Sequence, residues 1–245
     1  MNPVLPPACI GDGCDDTRSN RAVGLLSNKY AISDSEAYYT VTNVTPGTGL
    51  TWVINSSFSN TVALFTAGYH VPFDAKKRLY VDYLKLIVRT IPGGTPTALH
   101  LAARVEPNMS RIPATRASWT GVAIYSVNRD TVLNTWSPLE VHWCSGGTLA
   151  AEAETASIRF AGRATIPIRA PVVGDEYLVS FGAVNPCRSA SGGLTAAGAT
   201  AVSRKATNMP PIMLGPQQLL IMHAWIAGAS TTAPVFEFEM GLVEK

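Results

Sequence analysis

The chain has 245 residues, of which 47% are hydrophobic and only 15% charged, with a formal net charge of +2. The charged share lies well under the usual quarter, so polar cover must come from Thr, Ser, Asn and backbone, as on a β-rich surface or one covered by other proteins. A near balance of charge without a Lys- or Arg-rich tract gives no support to a nucleic-acid or anionic-membrane partner, and the apolar runs are far short of a membrane span.

The N-terminus MNPVLPPACIGDGCDD has neither the basic nor the apolar stretch of a signal peptide, so the expectation is a soluble protein made in a cytoplasm. Residues 1–37 read as an extended N-terminal arm. Pro3, Pro6, Pro7, Gly11 and Gly13 break regular structure, and the acidic group Asp12, Asp15, Asp16 precedes Arg18 and Arg21. Val4-Leu5-Pro6-Pro7 and Val23-Gly24-Leu25-Leu26 are apolar anchors; they suit an arm that orders on a neighbouring subunit better than a solvating tail, which is the other reading. Residues 38–245 read as one β-sandwich domain.

Tyr38 to Val44 alternates at period two, and Pro46-Gly47-Thr48-Gly49 turns the chain; Leu50–Ile54 and Val62–Phe65 are two more short strands. The centre is LYVDYLKLIVR, the turn IPGGTP and TALHLAARV, residues 79–105. Leu79, Val81, Tyr83 and Ile87 fall on one face of the first run and Tyr80, Leu84, Leu86 and Val88 on the other, which predicts an interior strand apolar on both sides; Pro92-Gly93-Gly94 then predicts a long hairpin. Trp119–Ser126 and Leu139–Cys144 are further strands. In Ser157–Ile168 a core face of Ile158, Phe160, Gly162, Ala164 and Ile166 opposes Arg159, Arg163 and Thr165, and Tyr177–Val184 alternates similarly. Asn185–Pro211 turns to Ala, Gly, Ser and Thr, a long excursion with weak strand character near Ala199–Ser203. Gln218–Ala227 and Val235–Val243 predict a second hairpin, with Phe236, Phe238, Met240 and Leu242 inward and Glu237 and Glu239 outward. Nine to eleven strands, no long helix and no βαβ unit favour an all-β, antiparallel sandwich of jelly-roll type over an immunoglobulin-like one.

The residues that could carry chemistry are few and scattered. His70, His100, His142 and His223 form no HxH or HExxH, and His100 and His223 sit in apolar strands, as satisfied sheet histidines do. Glu152 with Glu154, and Glu237 with Glu239, match the carboxylate pairs of glycosidases only as any alternating strand would. Ser145-Gly146-Gly147 and Ser191-Gly192-Gly193 lack the preceding glycine of a nucleophile elbow. Cys9 and Cys14 enclose four residues, Cys144 and Cys187 stand alone, and buried or idle thiols are expected rather than a zinc site. Trp52, Trp119, Trp136, Trp143 and Trp225 are expected in the core or at interfaces. No catalytic, cofactor-binding or metal-binding residue is therefore assigned, no cofactor is expected, and the protein is not expected to be an enzyme.

VDYLKLIVRTIPGGTPTALHLAARV (81–105) and PVVGDEYLVSFGAV (171–184), following a Pro- and Gly-containing arm, resemble virion structural proteins of tailed bacteriophages. Within that group the chain is most similar to the jelly-roll head decoration, or cement, proteins. The resemblance implies a homotrimer on the capsid surface of the virion, assembled in the host cytoplasm. It would bridge neighbouring major capsid proteins, with the arm as a clamp and no nucleic-acid or membrane partner. Another virion component, such as a minor capsid, neck or tail protein, would share these features, and a carbohydrate-binding adhesin module would show a row of exposed aromatic rings.

Overall fold

The computed structural model describes residues 38–53, 55–113, 119–126, 139–144, 148–150, 160–168, 171–182, 204–230 and 232–244. The arm at residues 1–37 lies outside these residues, as do Glu152, Glu154, Trp136, Cys9, Cys14 and Cys187. Among the described residues there is no helix, and fourteen strands form two sheets that pack face to face.

Sheet A contains β1 (Tyr38–Thr42), β4 (Leu79–Thr90), β10 (Glu176–Phe181) and β14 (Val235–Glu244) in the order β10-β4-β14-β1, flanked by β11 (Arg204–Met209) and β7 (Ala123–Ser126). Two-residue strands β2 (Leu50–Thr51) and β12 (Met213–Leu214) add to β14 and β4. Sheet B contains β3 (Phe65–Tyr69), β5 (Gly93–Glu106), β9 (Gly162–Pro167) and β13 (Leu219–Ser230) in the order β3-β13-β5-β9, extended past β3 by β8 (Leu139–Trp143) and β6 (Thr120–Gly121). Numbered along the chain, the eight main strands pair antiparallel first with eighth (β1 and β14), second with seventh (β3 and β13), third with sixth (β4 and β10) and fourth with fifth (β5 and β9).

This order overturns both expected hairpins. β4 lies in sheet A and β5 in sheet B, and the same is true of β14 and β13, so in each pair the two strands belong to opposite sheets. A turn-rich segment between two apolar runs fits a hairpin or a corner between packed sheets equally well, and local sequence does not distinguish them. The face assignment of β4 also changes. Opposite Gly241 and Leu242 the register slips, Tyr83 pairing with Gly241 and Val81 with Leu242, so Asp82 is a bulge residue. Leu79, Val81, Leu84, Leu86 and Val88 therefore share the buried face, while Tyr80, Tyr83 and Ile87 lie on the outer one.

Several boundaries also differ. The strand expected at 62–65 begins at Phe65, where it was expected to end. Trp119–Ser126 is split at Val122, with β6 in sheet B and β7 in sheet A. The weak strand expected near 199–203 lies outside the described residues; β11 follows directly and pairs parallel with β10, the one parallel pair among the described residues. In β14, Phe236, Phe238, Met240 and Leu242 are buried as expected. The inward faces form one core in which Trp143, Phe65, Phe238 and Met240 are fully buried. A smaller cluster on the far side of sheet B, including Trp119, Cys144, Leu219 and Ile221, is capped by Met109 and Ile112.

Candidate functional site

Period two sends Glu237 and Glu239 of β14 to the outer face of sheet A, where the neighbouring β4 supplies Lys85 beside Glu239. Lys85 Nζ lies 2.7 Å from Glu239 Oε2, the Tyr83 hydroxyl donates to Glu239 Oε1 at 2.6 Å, and Arg89 donates to Glu237 Oε1 at 2.8 Å. Lys85, Glu237 and Glu239, with Thr42, Asn43, Pro46, Ile87 and Phe238, line a hollow of about 220 Å³. Burial pushes the Glu239 carboxyl upward, but hydrogen bonds from Lys85 and Tyr83 and the lysine charge outweigh it, leaving the pKa below the ordinary carboxylate range. The Tyr83 hydroxyl is raised, chiefly by burial and then by its bond to Glu239. An ionised, fully engaged carboxylate is suited to holding strands together and unsuited to proton donation, the role one member of a glycosidase pair must take.

The outer face of sheet B carries a second polar group that the sequence reading missed. Glu140 and His142 share a face of β8, and the pairing of β8 with β3, Gly68 opposite Glu140, brings His70 alongside. His70 Nε2 is 2.7 Å from Glu140 Oε2, and His142 Nε2 is 2.7 Å from Glu140 Oε1. One carboxylate thus bridges two imidazoles. Each ring nitrogen is directed at its own oxygen instead of at a common point, and among the described residues no group of three His, Cys, Asp or Glu is placed to hold a metal ion. The Glu-x-His spacing was visible at period two, whereas His70 is brought in by non-local pairing.

No protein-family model matches the chain, and no curated protein or solved structure is significantly similar to it.

The remaining candidates are placed as follows. His100 stacks on Trp225 at 5.1 Å with its Nδ1 3.1 Å from Thr165 Oγ1. His223 is fully buried, and its Nδ1 is 2.9 Å from the Val62 carbonyl oxygen. Burial first, then the charges of Arg104 and Arg111, lower its pKa to about 4. Phe58 meets Trp225 edge to face at 5.6 Å and Phe160 at 5.4 Å, and Arg163 lies over Phe160, so the aromatic rings on this face pack on one another. Trp52, Trp119 and Trp143 are core residues, and the Cys144 thiol is buried, which pushes its pKa up.

The two ends of the sandwich carry most of the exposed apolar side chains. At the end where β4 finishes and β10 and β14 begin, Val44, Ile91 and Val173 are exposed on three separate links. Ile91 with Pro92, Pro96 and Pro171 lines an open groove of about 540 Å³ there. At the opposite end Phe73 projects from the link between β3 and β4, and Met213 and Tyr80, a cross-strand pair, are exposed beside each other.

Proposed function

We propose that the protein is a virion structural protein, a head decoration or cement protein of a tailed bacteriophage, which binds the outside of the capsid as a homotrimer and stabilises contacts between major capsid proteins. The observation that carries this reading is where the two family-like segments fall. Residues 81–105 supply most of β4 and β5, and residues 171–184 contain β10; these are the third, fourth and sixth strands of an eight-strand core paired first to last. We read that order as a jelly roll, a hairpin of four strand pairs rolled into two sheets. Exposed aliphatic side chains on three links at one end are further support, because a lattice neighbour could bury them at no cost to the fold.

The test is the mass of the purified protein by light scattering, followed by incubation with empty phage heads and sedimentation. A trimer that sediments with heads at fixed stoichiometry is expected, and removing residues 1–37 should leave a trimer that stays in the supernatant. An intact protein that is monomeric and does not sediment with heads overturns the reading.

A further inference from the structure

The link from β3 to β4, residues 70–78, presents Phe73 with 79% of its surface exposed, more than any other large apolar side chain among the described residues. Its backbone is nevertheless well anchored. Val71 is buried, Ala75 packs against the main core, and Ala75 N donates to the Pro72 carbonyl at 3.0 Å, closing a turn under the ring. Gln217 Nε2 donates to the Val71 carbonyl at 2.7 Å from a residue held at φ 57°, a left-handed conformation that non-glycine residues seldom adopt. Lys77 reaches back to Glu244 at 3.1 Å. An aromatic ring on a pre-formed turn loses little conformational freedom when something covers it, and covering it removes a large apolar surface from water.

Lys76, Lys77 and Arg78 follow Phe73 closely and are the one run of three basic residues in the sequence. A ring beside such a run is matched by a partner that is apolar and acidic. The chain contains such a segment. Residues 1–37 hold Asp12, Asp15, Asp16, Asp34 and Glu36 against Arg18, Arg21 and Lys29, and Val4-Leu5-Pro6-Pro7 stands a short distance before the first aspartates. That segment joins the sandwich at the same end as Phe73, since Tyr38 pairs with Val243 while Leu79, the residue after the link, pairs with Glu244. β1 and β4 are separated only by β14, a distance of about 10 Å, whereas 37 extended residues reach on the order of 100 Å.

We propose that the surface formed by Phe73, Lys76 and Arg78 is the docking site for the N-terminal segment of the same chain, with Val4–Pro7 against the ring and Asp12–Asp16 against the basic side chains. A Pro-Pro pair presents a rigid apolar edge of the kind aromatic side chains bind, and the charge match fixes its direction. The inference stands apart from the decoration reading, because it requires no shell.

The test is hydrogen exchange on the full chain, read by mass spectrometry, for the wild type, Phe73→Ser and Lys76→Glu. Amides in residues 1–20 of the wild type should exchange at least about tenfold more slowly than in a free peptide of the same sequence, equally at low and high protein concentration. Phe73→Ser should return them to the peptide rate with β3 and β4 unchanged, and Lys76→Glu or added salt should weaken the protection. Peptide-like exchange in the wild type, protection that survives Phe73→Ser, or protection that grows with concentration, as docking on a second copy would require, each overturns the proposal.

Discussion

His223 makes the sandwich sensitive to acid through a single ring. In the folded chain its pKa is held at about 4, first by burial, while in the unfolded chain it returns to about 6.5. Above pH 6.5 neither state binds the proton. As the pH falls from about 6.5 to 4, the unfolded chain takes up a proton that the folded chain refuses, and stability falls by up to about 1.4 kcal/mol per pH unit. His223→Gln, a neutral replacement that can still hydrogen-bond the Val62 carbonyl, should remove this slope. Denaturation midpoints compared between wild type and variant at pH 7 and pH 5 measure it, and equal pH dependences would refute the account. That His223 lies in a strand was legible from the apolar alternation of Leu220, Met222, Ala224 and Ile226. The full enclosure of its ring was not, because the groups around it come from far away in sequence, such as Phe58 and the Val62 carbonyl.

At the scale of strands, the outer face of sheet A depends on a residue with no side chain. Tyr38 reaches across β14 to donate to Asp82 at 2.8 Å, and the Tyr83 ring leans over the same spot. A Cβ on Gly241 would collide with both the Tyr38 hydroxyl and the Tyr83 ring. Gly241→Ala should cost about 1–3 kcal/mol, as overpacking does, and urea titration should show a lower midpoint with an unchanged slope. Loss of less than about 0.5 kcal/mol would mean that the two rings swing aside freely. Strand identity was largely readable here, since alternation located β4, β9, β10 and β14 within a few residues. The bulge at Asp82 and the two sheet-to-sheet crossings were not. Period-two patterning says which residues share a face within one uninterrupted run, but it carries no information on an inserted residue or on whether a proline–glycine corner returns to the same sheet. The bridged His70–Glu140–His142 group was hidden for the same reason, as its third member arrives through strand pairing.

For the molecule as a whole, one buried carboxylate links the two sheets at their end. Glu244, the last residue of β14 in sheet A, accepts from the Tyr69 hydroxyl of β3 in sheet B at 2.6 Å and from Lys77 at 3.1 Å, with the Tyr39 hydroxyl at 3.5 Å. Tyr69 is fully buried, so Glu244→Ala would leave its hydroxyl without this partner and should cost about 2–4 kcal/mol, whereas Glu244→Gln, which keeps an acceptor, should cost less. Thermal melts of the two variants rank them, and equal losses would show that the charge alone matters. β14 itself separates β4 from β1 in the middle of sheet A and pairs with both along most of its length. It is also the last of the fourteen strands to be made. During translation β1 and β4 therefore leave the ribosome long before the strand that must come between them, and sheet A stays incomplete until the residues of β14 emerge. A nascent chain of this topology cannot close its core before β14 is made, and it must be kept from aggregating until then.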